Sequence, residues 1–177
     1  MRATGIVRRI DELGRVVIPK EIRRTQRIHS GDALEIFTDG KGEVVFKKYS
    51  PLAELGEPAA AYADVLARRL GCGVAVCDRE KIVAAAGAGR SELLGEPLSP
   101  ELDALLARRK LYTAPEEPLH RVALGSRWLL CAAPILVHGD IEGGVLLPGM
   151  RRDAVPDPET IRAAATAAEF LARWMGE

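Results

Sequence analysis

"DELGRVVIPKEIRR", residues 11–24, decides how the first third of the chain is read. Asp11 and Gly14 are turn formers: an aspartate binds nearby backbone N–H groups, and glycine accepts left-handed backbone angles. Val16, Val17 and Ile18 follow as an apolar, β-branched run. Pro19 closes that run, because proline has no N–H to offer a ladder. Pro19 also suits the first turn of a helix, so "KEIRRTQRI" is predicted to be a short one. Val16, Val17, Ile18 and Ile22 are the expected core. Around them stand Arg15, Lys20, Arg23 and Arg24, with Arg8 and Arg9 just upstream.

Working outward, "ATGIVRRI" (3–10) predicts a strand with Ile6, Arg8 and Ile10 on one face. "HSGD" (29–32) is a loop. "ALEIF" and "EVVFKKY" are strands joined by the glycine-bearing turn "TDGKG". Residues 1–50 therefore form one expected domain of four short strands and a short helix. About 50 residues bury only a marginal core without a disulfide or metal staple. Size alone thus predicts that a second copy completes this domain.

Across 177 residues, 25 Lys and Arg balance 25 Asp and Glu. The balance hides a gradient. Residues 1–50 hold 11 basic against 7 acidic residues, and residues 51–177 hold 14 against 18. A basic head on an acidic body points to an anionic partner for the head. The cations are mostly arginine, which grips phosphate bidentately and reads guanine edges, where lysine acts as a point charge. A dimer doubles the patch at a fixed spacing, as paired sites on double-stranded DNA require.

The segment "SPLAELGEP", with its prolines and glycine, reads as a linker over 51–58. Residues 59–177 form the second expected domain. Its pattern is helix (60–71), two strands, a loop-rich stretch, helix (100–110), three strands and a closing helix (158–176). An antiparallel sheet with helices on one side is the expected α+β arrangement. Tyr62, Val65, Leu66 and Leu70 are the expected inward stripe of the first helix. Alanine-rich stripes on the flanking helices also suit close packing between copies.

Cys72, Cys77 and Cys131 lie in apolar surroundings and are read as reduced core thiols. Met1-Arg2 opens on a mixed sequence, so no secretory signal is expected, nor does any stretch suit a membrane span. A cytoplasmic protein is expected. His29, His120 and His138 share no metal-binding spacing, and no nucleophile elbow or His-Glu-x-x-His motif occurs. Neither a metal nor a cofactor is expected, and no enzyme.

"TGIVRRIDELGRVVIPKEIRRTQRI", followed by "GDALEIF" and "FKKYSP", closely resembles the AbrB family of transition-state regulators over residues 3–51. The resemblance implies a swapped-hairpin dimer, in which two chains exchange β-hairpins. It places the DNA-contacting arginines at Arg8, Arg15, Arg23 and Arg24. Arg9 and Lys20 join them by position and charge alone. Family members bind A·T-rich promoters more by shape than by a strict consensus, which fits arginines on a pliable surface. Gln26-Arg27 departs from the Leu-Gly pair common in relatives and bears on where the short helix ends.

The second half resembles a GAF domain. That implies a dimer platform or a sensor for an unidentified small molecule, held near Gly87, Gly89, Arg90 and Ser91, with Cys131 and Pro134 from later strands. "AGAGRS" offers backbone N–H groups to a phosphate but lacks the lysine of a P-loop. The whole architecture resembles sporulation regulators. It implies activation and repression of spore genes, a nucleoid-associated protein in the forespore, and a homotetramer joined through C-terminal helices. Two other classes are weighed. Swapped-hairpin heads also occur in antitoxins, but those carry a disordered toxin-wrapping tail, and residues 59–177 are patterned and apolar. A small-molecule enzyme with a regulatory head lacks a catalytic constellation.

Overall fold

Two aspartates build the same turn twice in the first 49 residues. At residues 11–15, Asp11 Oδ1 accepts the N–H groups of Leu13 (3.0 Å) and Arg15 (2.8 Å). The Asp11 N–H donates to the Arg15 carbonyl at 3.1 Å, and the Gly14 N–H to the Asp11 carbonyl at 2.9 Å. At residues 39–43, Asp39 Oδ1 accepts from Lys41 (3.0 Å) and Glu43 (2.7 Å) in the same pattern. Asp39 and Glu43, and Gly42 and Asp39, repeat the two backbone bonds. The fourth residue of each turn is a glycine at positive φ, +75° at Gly14 and +83° at Gly42. This is a three-residue hairpin loop, which needs a left-handed residue at that place.

The computed structural model describes residues 4–26, 28–50, 52, 56–114, 122–151 and 154–176. It divides into two units, Met1–Tyr49 and Ser50–Glu177. In the first, the Asp39 turn joins β1 (Leu34–Thr38) to β2 (Val44–Lys48) as an antiparallel hairpin with Thr38 opposite Val44. Helix α1 runs from Lys20 to Thr25 behind Pro19 and stops at Gln26. It is shorter than the predicted "KEIRRTQRI". Thr25 Oγ1 bonds back to the Glu21 and Ile22 carbonyls, and the Ile28 N–H returns to the Arg23 carbonyl.

The Asp11 turn has no such hairpin around it. Of the predicted strands 3–10 and 15–19, the described residues 4–10 and 15–19 join no sheet among the described residues. The expected core around Val16 and Val17 is likewise not made: Val17 is 73% exposed, and Val7 83%. Ile18 and Ile22 are half-buried, and among the described residues of this unit only Pro19 is buried. Extended segments need neighbouring strands to satisfy their backbone and cover their apolar side chains. One copy of this unit supplies neither.

The second unit is built on an antiparallel sheet in the order β4-β3-β8-β7-β5, with β6 also paired to β7. The strands are β3 (Val74–Cys77), β4 (Ile82–Ala86), β5 (Tyr112–Thr113), β6 (Ala123–Leu124), β7 (Arg127–Val137) and β8 (Asp140–Gly149). β5 is too short to carry a sequence signal. Every residue of β3 is buried, so both faces of the sheet must be covered. Strand alternation divides them: Val74 and Val76 face one cluster, Ala75 and Cys77 the other.

Helices α2 (Gly56–Leu70) and α5 (Pro158–Met175) cover the first face. Their buried residues are mostly alanines, Ala59, Ala63 and Ala67 on α2 and Ala164, Ala167 and Ala168 on α5. Small side chains let each helix approach the sheet closely. The stripe predicted for the first helix is therefore displaced: Val65 is exposed and Tyr62 and Leu66 are only partly buried. The second face is covered by α3 (Arg90–Leu93), α4 (Pro100–Leu106) and the loop carrying Leu98. Helices thus lie on both sides of the sheet, not on one as the pattern suggested. The expected linker 51–58 is also not free. Leu52 is buried in the first cluster, and Gly56, Glu57 and Pro58 open α2.

Two caps follow their sequence signals. Ser99 Oγ accepts from the Leu102 N–H at 3.2 Å. Asp157 Oδ1 accepts from Glu159 (2.9 Å) and Thr160 (3.0 Å) at the start of α5. The bonds from the Thr160 hydroxyl and backbone hold the Asp157 carboxyl below its usual range. Replacing Asp157 by Ala removes this cap and is expected to lower the stability of the second unit. Urea unfolding followed by tryptophan fluorescence checks this.

Candidate nucleic-acid interface

All six predicted cations of the head are exposed. Arg8 and Arg9 lie on the first arm, Arg15 ends the Asp11 turn, and Lys20, Arg23 and Arg24 stand on α1. Arg8 donates from Nη1 to the Val7 carbonyl at 3.1 Å. Arg15 donates from Nε to Asp11 Oδ2 at 2.7 Å, with its side chain 71% exposed. A guanidinium can bind a phosphate bidentately, through two parallel N–H···O bonds, so exposed arginines are apt donors to that group. Arg23 and Arg24 sit in the last turn of α1, where a cation also complements the unsatisfied carbonyls.

Asp11 was read from the sequence only as a turn former. Its second role, holding Arg15, was missed. The signal was there in the spacing, an acid four residues before a base across a glycine turn.

The residues proposed for a ligand in the second unit are not gathered into one site. Gly87 and Gly89 have φ of +69° and +94° and flank the start of α3, where Arg90 and Ser91 are exposed. Cys131 belongs to the opposite cluster, packed with α2 and α5. Burial pushes its thiol up to about 11, so it is a protonated core residue. Cys77 is pushed up to about 12, first by burial and then by Asp78. Pro134 is half-buried and pairs with Gly144 across the sheet.

What does sit at the glycine loop is Arg127, which the sequence did not single out. Its side chain is only 7% exposed. A Cβ on Gly89 would collide with its guanidinium, so Gly89 is the seat for this buried cation. Arg127 donates from Nε to Glu92 Oε2 at 3.3 Å and from Nη2 to Oε1 at 3.4 Å, and contacts Met150 Sδ. Ser126 Oγ donates to Glu92 Oε2 at 2.7 Å. The Ser126 bond, then Arg127, holds the Glu92 carboxyl below its usual 4.5. A pair of this kind is costly to break, because the buried cation is left without its counter-charge. Gly89 thus lies against an internal ion pair, while Gly87, Arg90 and Ser91 stay exposed.

A carboxyl whose pKa is lowered by folding stabilises the fold above its ordinary pKa, and that stability is lost as the pH falls through its folded value. The urea midpoint of the second unit is therefore expected to drop below pH 4.5. Glu92→Gln should lower it at pH 7 and flatten that acid dependence.

Comparison with known proteins follows the same division. Residues 54–176 match the family described as "Stage V sporulation protein T C-terminal, transcription factor". Residues 7–53 match "Antidote-toxin recognition MazE, bacterial antitoxin". The solution structure of the N-terminal DNA recognition domain of Bacillus subtilis AbrB is 59% identical to the head. It covers 29% of this chain and 94% of that one, with a TM-score of 0.26. The GAF domain of the nutrient sensor CodY from Clostridium difficile is 15% identical over 64% of this chain and 81% of that one, with a TM-score of 0.47.

An AbrB-type head joined to a folded α+β domain defines the class, a two-domain regulator. Stage V sporulation protein T of Bacillus subtilis is 42% identical over 186 aligned positions, 99% of each chain. The chain belongs to the stage V sporulation protein T family.

Proposed function

We propose that this chain is a DNA-binding transcription regulator of sporulation genes, activating some and repressing others. Its contacts to A·T-rich promoter DNA come from Arg8, Arg15, Arg23 and Arg24, with Arg9 and Lys20 on phosphates. The observation that carries the reading is a head whose six cations are all exposed while its apolar arms lie uncovered. A chain that leaves Val7, Ile10, Leu13 and Val17 in water needs a partner surface of the same kind. A second copy supplies it: the arms around the Asp11 turn become hairpins when they pair across a homodimer, and the cations of two copies then form one patch.

The second unit serves assembly and sensing. Tyr62 stacks on Phe170 at 4.9 Å, and Phe170 meets Trp174 edge-on at 5.6 Å. Phe170 and Trp174 stay 44% and 45% exposed, with Val65 beside Tyr62 in sequence also exposed. This aromatic strip on α2 and α5 joins two dimers into a tetramer. An effector, if one acts, binds without metal or catalytic chemistry, and the protein works at the nucleoid of the forespore. No described helix is long and apolar enough to cross a membrane.

The match of residues 7–53 to antitoxins favours a second reading, a head that neutralises a toxin. Against it, the residues after the head build a packed sheet and helices in place of an extended wrapping tail.

The test is binding to an A·T-rich duplex and to a shuffled one across a salt series. The wild type is expected to bind with a steep negative salt slope, and a variant with Arg8, Arg15, Arg23 and Arg24 all changed to Ala to lose most of it, by about 0.9 per phosphate contact removed. Equal binding by a folded variant would leave the toxin-binding reading. Trp174→Ala is expected to convert tetramers to dimers in sedimentation while DNA binding by each dimer persists.

A further inference from the structure

The Asp11 carboxylate is an anion in the middle of the cationic head. Simple electrostatics makes it a liability there, because it repels the phosphates that Arg15 attracts. The paired turns show what it does in return. The Asp39 turn has the same two side-chain bonds and the same two backbone bonds, yet its fifth residue is Glu43, with no cation to hold. The turn therefore forms without an ion pair. At Asp11 the first oxygen does the turn's work, taking the Leu13 and Arg15 N–H groups. The second is left over, and takes Arg15 Nε at 2.7 Å.

This division has a chemical consequence. A guanidinium has five N–H donors in a rigid plane. Asp11 takes the one on Nε, next to the aliphatic stem, so the guanidinium is biased from its near side. The two terminal nitrogens, which make the outer fork, are not used by that bond. An exposed arginine otherwise loses rotamer freedom when it is immobilised on a ligand. The same bonds draw the Asp11 carboxyl below its usual 3.8, with the Arg15 backbone N–H the largest cause and its side chain next.

We infer that Asp11 is a positioning residue for DNA binding: it holds Arg15 by Nε so that the outer fork of the guanidinium is presented to the nucleic acid in advance. The inference rests on the reading of Arg15 as a DNA contact. It makes a counter-intuitive statement, that removing a negative charge from a DNA-binding surface weakens binding.

The experiment compares the full-length wild type with Asp11→Asn, Arg15→Ala, the double variant and Asp39→Asn, by duplex binding across a salt series. Circular dichroism and thermal melting establish that each is folded. Asp11→Asn keeps an oxygen for the two backbone N–H groups but places an amide where Arg15 Nε needs an acceptor. Asp39→Asn makes the same change in the matched turn. The expected results are a loss of about threefold to tenfold for Asp11→Asn, a salt slope shallower by about 1, and no loss for Asp39→Asn. The double variant should bind no worse than Arg15→Ala alone, because the two residues act as one unit. Asp11→Ser, which keeps a turn-capping oxygen without the charge, should behave as Asp11→Asn does. Tighter binding by folded Asp11→Asn, or losses that simply add in the double variant, would overturn the inference while leaving Arg15 as a contact. If Arg15→Ala itself binds like the wild type, the reading of Arg15 fails, and the inference with it.

Discussion

Apolar side chains that leave water need cover, and the two units of this chain meet that demand differently. In the second, every strand residue of β3 is buried, and helices close both faces of the sheet. Alanines on α2 and α5 make one cover close-fitting, and leucines from α3, α4 and the loop before α4 make the other. In the first, Pro19 is the single buried residue among those described, and the β-branched run after the Asp11 turn faces outward. A unit of that size cannot fold its arms onto itself. This shortfall is what the proposed homodimer would make good.

Turn chemistry sets where the charges stand. The carboxylate of Asp11 orders five residues, and the last of them is Arg15. Local hydrogen bonds of this type form without tertiary contacts, so the tip of the arm is organised even where its flanks are not. The cations of α1 rest on a second local device, Pro19 before the helix and Gln26 after it. Under the proposed function, a surface assembled from short, locally fixed pieces would suit sequence-dependent groove shape.

Electrostatics plays a different part in the second unit. Arg127 is buried, and its counter-charge comes from Glu92 on the short helix α3. The pair ties the loop over the leucine-lined face to the start of β7. Its worth lies in specifying which loop conformation closes that face, since a buried pair adds little net stability over an apolar substitute.

Much of this was legible in the residues alone. The head's turns and the start of α1 at Pro19 follow from Asp, Gly and Pro at fixed spacing, because those residues act through their own backbone and near neighbours; the choice of its cations came from a family resemblance and from charge. What the tertiary structure decided was everything that depends on distant neighbours. Sequence periodicity cannot tell which of two apolar faces a helix covers, so α3 and α4 opposite α2 and α5 came as a correction. It cannot tell a buried arginine from an exposed one, so Arg127, seated against Gly89, was overlooked. It cannot tell whether a β-branched run finds a partner in its own chain, and here 4–10 and 15–19 find none among the described residues. Local chemistry is written in adjacent residues, whereas burial is settled only when segments far apart in the chain, or in another copy, come to lie against each other.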